Sequence, residues 1–249
     1  MAEQQNVLCR LPSELRRCIL SSMPDLQSLA STALTCRAFY YIFDDNKDGI
    51  IRDVLINSIG SEVLPEAIIT HRCSPPLLSL NISPKSVFWN TISPKGKAWQ
   101  YRYVSTFLGT LERPPITSTT WTMCEALELE RFHVQTVYPL AQRFIKSCAK
   151  LSPPRVIEIS LSSRPTSRLE EERIMRALYR FEVFRKLFGR FRWRVRDSTV
   201  STTLTNLFFS KFAPWENAQL ACIHDFLARE VMPGMLKLRP YEFRCCCCC

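Results

Sequence analysis

Six glycines in a chain of 249 residues, against sixteen prolines, restrict its folds more than any other feature. Tight βα turns and phosphate-cradling loops need glycine wherever backbone φ turns positive. A Rossmann, P-loop or barrel enzyme would be short of the residue its loops depend on. Helices joined by proline-punctuated loops ask for far less, so the expected fold is mainly α. The length fits one large or two small domains, and a chain of this size buries about three quarters of its unfolded surface. With 46% hydrophobic and 22% charged residues, the composition is that of a globular protein.

Leu11 to Phe43 reads as three short helices. Leu11, Leu15, Cys18 and Ile19 fall at helical spacing, Pro12 suits a first turn, and Arg16 and Arg17 are expected outward. Pro24 and Asp25 break this helix. Ser28 is the expected cap of the second, with Leu29, Ala33 and Leu34 apolar, and Thr35 that of a third carrying Cys36, Phe39, Tyr40 and Phe43. A fourth helix is predicted over 47–58 on the stripe Ile50, Ile51, Val54, Leu55 and Ile59. A fifth holds Val63, Leu64, Ala67 and Ile68. His71 to Ser93, rich in proline and serine, reads as a loop.

Trp99, Tyr103, Phe107 and Leu108 point to a further helix before Pro114 and Pro115. Thr122 and Glu125 have capping-box spacing, and their helix should run until Pro139 kinks or restarts it. Ile157, Ile159 and Leu161 alternate, which allows one short strand. From Leu169 to Phe188 the pattern is again helical, with a Ser167–Glu170 capping box, Ile174, Leu178, Phe181, Phe184 and Phe188 on one face, and Gly189 as stop. The last helix starts at Pro214, with Leu220, Ile223, Phe226, Leu227 and Val231 inward. Its cap, Ala213, has no side-chain oxygen, so its start is expected to fray.

Leu11, Pro12, Glu14, Leu15, Ile19 and Leu20, followed by Leu29, Cys36, Arg37 and Phe39, resemble the F-box. That pattern runs Leu-Pro-x-Glu, Ile-Leu, a leucine after a turn, then Cys-Arg and an aromatic. It fits with one extra residue in the turn at Met23-Pro24-Asp25. Phe39 stands where the family most often has tryptophan, and Thr35 where it often has valine. Three further strings, VLPEAI (63–68), RIMRALYRFEVFRKLFG (173–189) and PWENAQLACIHDFLAR (214–229), resemble a large class of F-box-like proteins of filamentous fungi. The resemblance implies a Skp-type adaptor bound at Leu11, Pro12, Leu15, Ile19, Leu20, Leu29, Cys36 and Phe39. It also implies a cullin scaffold beyond that adaptor and a protein substrate selected by the rest of the chain. A module of about forty residues rarely encloses its own core, so something must cover its apolar faces. Either a partner helix does so, or the chain's own helices over 47–70.

Other constellations carry less. Arg190, Arg192, Arg194 and Arg196 alternate with Phe191, Trp193 and Val195, so an extended strand would place four guanidiniums on one face and the apolar side chains on the other. Basic groups beside stackable rings suit single-stranded nucleic acid. The plainer reading packs the rings on the helical body and leaves the arginines in water, and it is preferred because no nucleic-acid fold signature accompanies the run. Arg173 to Arg196 holds nine basic residues and one acid, Glu182, and accounts for most of the net charge of +10.

His71, Cys73, His133 and His224 lack metal-ligand spacing, and no Gly-x-Ser-x-Gly or His-Glu-x-x-His motif occurs. The three histidines read as surface or satisfied structural residues. Glu170, Glu171 and Glu172 favour a helix N-terminus rather than forming a catalytic pair. No cofactor is expected. No apolar run reaches the eighteen residues of a membrane span, and Met1 to Leu8 has no secretory-signal pattern. Cys9, Cys18, Cys36, Cys73, Cys124, Cys148 and Cys222 therefore read as reduced, mostly buried residues of a cytoplasmic or nuclear protein. Cys245 to Cys249 reads either as an acylated end, helped by Lys237, Arg239 and Arg244, or as the product of a shifted reading frame. The second reading is preferred because the run comes after the last recognisable helix.

The expected organisation is a three-helix F-box-like module over 8–45, an irregular helical body with at most one short strand over 46–232, and a basic, cysteine-rich tail over 233–249. The expected function is an adaptor, not an enzyme, that recruits a protein substrate to a cullin-RING ubiquitin ligase. The alternatives are a degenerate F-box scaffold without ubiquitin function, and a nucleic-acid-binding protein using 190–196.

Overall fold

The computed structural model describes residues 11–73, 119–151, 166–188 and 208–231, with side chains as far as 148 in the second stretch. The expected helix over 99–108, the strand at 157–161, the arginine run 190–196 and the tail 233–249 lie outside the described residues. Within them the fold is helical, without a strand. It divides into two compact units, one of residues 1–68 and 113–139, the other of 69–112 and 140–249.

The first unit opens with α1 (Ser13–Ser21), α2 (Leu26–Ala33) and α3 (Arg37–Asp45), followed by α4 (Lys47–Ile59). Asp25 rather than Ser28 caps α2: its carboxylate accepts from the Ser28 N–H at 2.7 Å and the Ser28 hydroxyl at 3.0 Å. The N-cap of α3 is Cys36, which makes no side-chain cap bond, while the Thr35 hydroxyl turns back to the Thr32 carbonyl. The α4 stripe is as expected, with Ile50, Ile51, Val54, Leu55 and Ile59 all buried. Gly60 ends this helix at φ 99°, a conformation only glycine adopts without strain. Side chains of α4 also hold the end of α1, because the Asn57 amide donates to the Ser21 and Met23 carbonyls. In α5 (Leu64–Arg72) Leu64, Ala67 and Ile68 are buried, as is Val63 just before it.

The same unit takes in α6 (Met123–Phe132), whose Thr122–Glu125 capping box forms as the spacing predicts. Pro139 does not end the helical run. A π-helical segment, His133–Val137, sits just before it and leads into α7 (Tyr138–Leu151). Proline lacks an N–H and crowds the carbonyl four residues back, here that of Gln135. A wider turn at that point relieves the conflict, a common place for a π-bulge. His133 lies inside at 3% exposure, and burial lowers its pKa to about 4.

In the second unit α8 (Arg168–Phe188) packs on α9 (Pro214–Val231). The Ser167–Glu170 box is present. The buried face of α8 differs from the expected stripe, however. Met175, Leu178, Tyr179, Val183, Leu187 and Phe188 are inside, whereas Ile174, Phe181 and Phe184 are only half-buried. One core cluster joins Cys73, Val183, Leu187, Phe188, Phe208 and Leu220, with Phe184, Phe209 and Phe212 against it. Phe208 is fully buried, and its ring lies 5.0–5.9 Å from those of Phe184, Phe188, Phe209 and Phe212. Val231, expected inward, is exposed at the last residue of α9.

The start of α9 is anchored, not frayed. Glu216 reaches back to accept the Ala213 N–H at 3.0 Å and pairs with the buried Arg180 at 2.7 Å. Asn217 adds a bond to the Phe209 carbonyl at 2.9 Å. Burial works to raise the Glu216 pKa. The Ala213 N–H, the charge and hydrogen bond of Arg180, and the charge of Arg176 outweigh it, so the carboxyl sits below its usual range.

Candidate interaction surface

The residues that carry the N-terminal motif divide by burial into two sets. Leu20, Leu29 and Phe39 are essentially inaccessible and form the inside of the first unit with Leu26, Ala33 and the α4 stripe. Each buried side chain of this size contributes about 1.5–3 kcal/mol. Pro12 and Leu15 are exposed, and Leu11, Ile19 and Cys36 are half-buried. The motif is thus partly core and partly surface, because α4 supplies cover that three short helices lack.

Helical spacing sorts α1 further. Leu15, Cys18 and Ile19 share one strip of its surface, with Arg16 and Leu20 round the side. Arg16 is half-buried rather than outward, and its Nε is out of solvent with no hydrogen-bond partner. Arg17 does point outward.

Three residues of the same helices outside the expected docking set are also large, apolar and exposed. Leu34 is 74% exposed just past the end of α2, and Tyr40 and Tyr41 are 47% and 61% exposed on α3, against 50% for Leu15. The sequence pattern places Leu34 and Tyr40 on apolar faces, and the structure turns both to solvent. The signal for Tyr40 is in the helical period: with Phe39 inside, the next two residues turn about 100° and 200° away. The two tyrosine rings meet edge to face at 6.2 Å.

Two carboxylates tie this region to a distant part of the chain. Glu130 on α6, 8% exposed, accepts the Leu26 N–H at the first turn of α2, at 3.1 and 3.2 Å to its two oxygens. Asp48 in the first turn of α4 accepts the Trp121 N–H at 2.7 Å. Burial pushes the Glu130 carboxyl above its usual range. The Leu26 N–H and a hydrogen bond from Ser58 oppose that rise, and the nearby Asp25 carboxylate adds to it.

Residues 8–50 match the family model of the F-box domain. The chain carries an F-box domain. No curated protein and no solved structure matches the chain. The F-box spans α1 to α3 and the first turn of α4, so the exposed set Pro12, Leu15, Leu34, Tyr40 and Tyr41 lies wholly within it. F-box domains bind Skp-type adaptors.

The remaining candidates separate cleanly. Among the described residues no three His, Cys, Asp or Glu side chains group as a metal site, and no helix is long and apolar enough to cross a membrane. His133 is buried, His71 half-buried and His224 exposed. Among the described residues the cysteines are not mostly buried: Cys73 is, but Cys36, Cys148 and Cys222 are half-buried, and Cys18 and Cys124 are exposed, while Cys9 lies outside the described residues. Arg190, Arg192, Arg194 and Arg196 lie outside the described residues.

Proposed function

We propose that the chain is a substrate-recruiting subunit of a cullin-RING ubiquitin ligase. On this reading its F-box docks a Skp-type adaptor through Pro12, Leu15, Leu34, Tyr40 and Tyr41, flanked by the half-buried Leu11, Ile19 and Cys36. Leu20, Leu29 and Phe39 act behind that face by holding its helices together. The adaptor links the chain to the cullin scaffold, and the remainder of the chain selects a protein for ubiquitination. The chain has no catalytic step of its own and works in the cytoplasm, the nucleus or both.

One observation carries the reading. The F-box keeps large apolar side chains in solvent although α4 has already covered its interior. Permanent interfaces resemble a core cut in half and concentrate their energy in a few large side chains, with tyrosine prominent among them.

The test is co-expression of the full chain with a Skp-type adaptor, followed by affinity purification. Wild type should co-purify. Leu15→Asp with Tyr41→Asp should lose at least about 2 kcal/mol, or thirtyfold in affinity, with an unchanged thermal midpoint because both residues are already solvated. Arg173→Ala, exposed on α8 in the other unit, should bind as wild type. Absence of adaptor binding at micromolar concentration would overturn the proposal.

A further inference from the structure

We propose that the docking face is set by a residue outside the F-box: Glu130 is a positioning residue that fixes α2, and through it the Leu34–Tyr41 end of the surface. The proposal rests on the adaptor reading above, and adds that the adaptor-binding unit is discontinuous in sequence.

The argument starts from the length of α2. Eight residues make a helix of about 12 Å, and helices this short are not stable by themselves. Its orientation therefore depends on what holds its ends. At the C-terminal end Leu34 is the cap, its N–H bonded to the Ala30 carbonyl, and only Thr35 and Cys36 separate it from α3. The Cys36 carbonyl then accepts the Phe39 and Tyr40 N–H groups and starts the helix that carries both exposed tyrosines. Whatever turns α2 turns this junction. A pivot of about ten degrees at Leu26 would move Leu34 by about 2 Å over that length, enough to misplace an interface side chain.

At the N-terminal end two carboxylates share the open N–H groups. Asp25 takes that of Ser28, as a local cap does. Glu130 takes that of Leu26 from 104 residues away, with both of its oxygens in range. It is buried, so the bond is not exchanged for water, and losing it would strand a backbone donor inside the unit. The helix that carries Glu130 also packs on α4, so this carboxylate ties α2 to a helix that is itself seated on α4. The Asp48–Trp121 bond anchors the chain just before α6. Residues 119–137 are thereby held to the F-box at both ends of α6, and belong with it in the same compact unit.

The experiment compares full-length wild type, Glu130→Ala and Glu130→Gln by two measurements: amide hydrogen exchange over 26–36, and affinity for purified Skp-type adaptor. Glu130→Ala should raise exchange over 26–33 at least tenfold and weaken adaptor binding at least tenfold, while exchange over 175–188 in the other unit stays unchanged. Glu130→Gln keeps an acceptor for the Leu26 N–H and should bind within threefold of wild type. Unchanged exchange in Glu130→Ala, or full adaptor affinity despite faster exchange, would overturn the proposal. So would equal loss in both variants, since the hydrogen bond would then not be what matters. If Glu130→Ala is insoluble, Glu130→Asp replaces it, keeping the charge but falling one methylene short; wild-type affinity there would overturn the proposal equally. Failure of the adaptor reading shows separately, as a wild type that does not bind while its α2 exchange still responds to Glu130→Ala.

Discussion

Removing Glu216 should unlatch the second unit at the start of α9. The side chain performs two tasks at once, capping the Ala213 N–H and pairing with Arg180. Loss of a helix cap costs about 1 kcal/mol. Breaking a buried ion pair by deleting one partner costs about 3–5 kcal/mol, because the surviving charge stays in a poorly hydrated site. Here the guanidinium side chain is 9% exposed but the carboxylate is 24% exposed, and Arg180 keeps the face of Phe212 at 4.9 Å. The low end of that range applies. Glu216→Ala should therefore lose about 3–4 kcal/mol, and Glu216→Gln, which keeps an acceptor for the cap, about 2–3 kcal/mol. Replacing both partners, Arg180→Met with Glu216→Gln, should recover much of the loss, since a neutral pair leaves no stranded charge. Urea titration followed by far-UV circular dichroism gives the stabilities, and amide exchange over 214–231 locates the effect in α9. A loss below about 1 kcal/mol for Glu216→Ala, or single effects that add to within about 0.5 kcal/mol in the double variant, would refute the reasoning.

Burial fixes two further outcomes. His133 is held neutral, with its pKa lowered from 6.5 to about 4, so the unfolded chain takes up a proton first as pH falls. The first unit should lose stability between pH 6.5 and about 4, by about 3 kcal/mol in all, and this part of the pH dependence should vanish in His133→Phe; a flat urea midpoint across that window in wild type would contradict the account. Burial pushes the Cys73 thiol up to about 12, so mass-spectrometric mapping after brief iodoacetamide treatment should find Cys18 and Cys124 alkylated and Cys73 untouched, and early modification of Cys73 would count against its place in the core.

What was legible in the sequence is what neighbours in sequence decide. The stripes of α4 and α5 and the boxes Thr122–Glu125 and Ser167–Glu170 are set by residues three or four apart, and the structure has them where that spacing puts them. The motif residues Leu20, Leu29 and Phe39 were legible as apolar positions, but which of them would be covered was not, since that depends on α4. The α2 cap fell to Asp25 over Ser28 because both offer an oxygen at the same turn. The anchor at Ala213 leaves no side-chain oxygen to read at the cap position, and its one local signal is Glu216 three residues on, half of a capping box. Its Arg180 partner lies on another helix and leaves no local mark. The buried face of α8 departs from the expected stripe because the helix is buried on more than one side, which blurs a single 3.6-residue period. Glu130 was the least legible, being one glutamate among several in a polar helix until α2 is placed beside it.

The bond between Leu26 and Glu130 also has a meaning in time. Chains are made from the N-terminus at about 5–20 residues per second. The 104 residues between donor and acceptor thus take roughly 5–20 s to synthesise. A helical turn forms in well under a millisecond, so for nearly all of that interval the F-box segment has been made and is free to sample its helices without the residues that complete its unit. Its apolar side chains are then open to whatever the nascent chain meets, a chaperone or another nascent copy. The pace of translation between codons 26 and 130, and not the final stability of the domain, sets how long that exposure lasts.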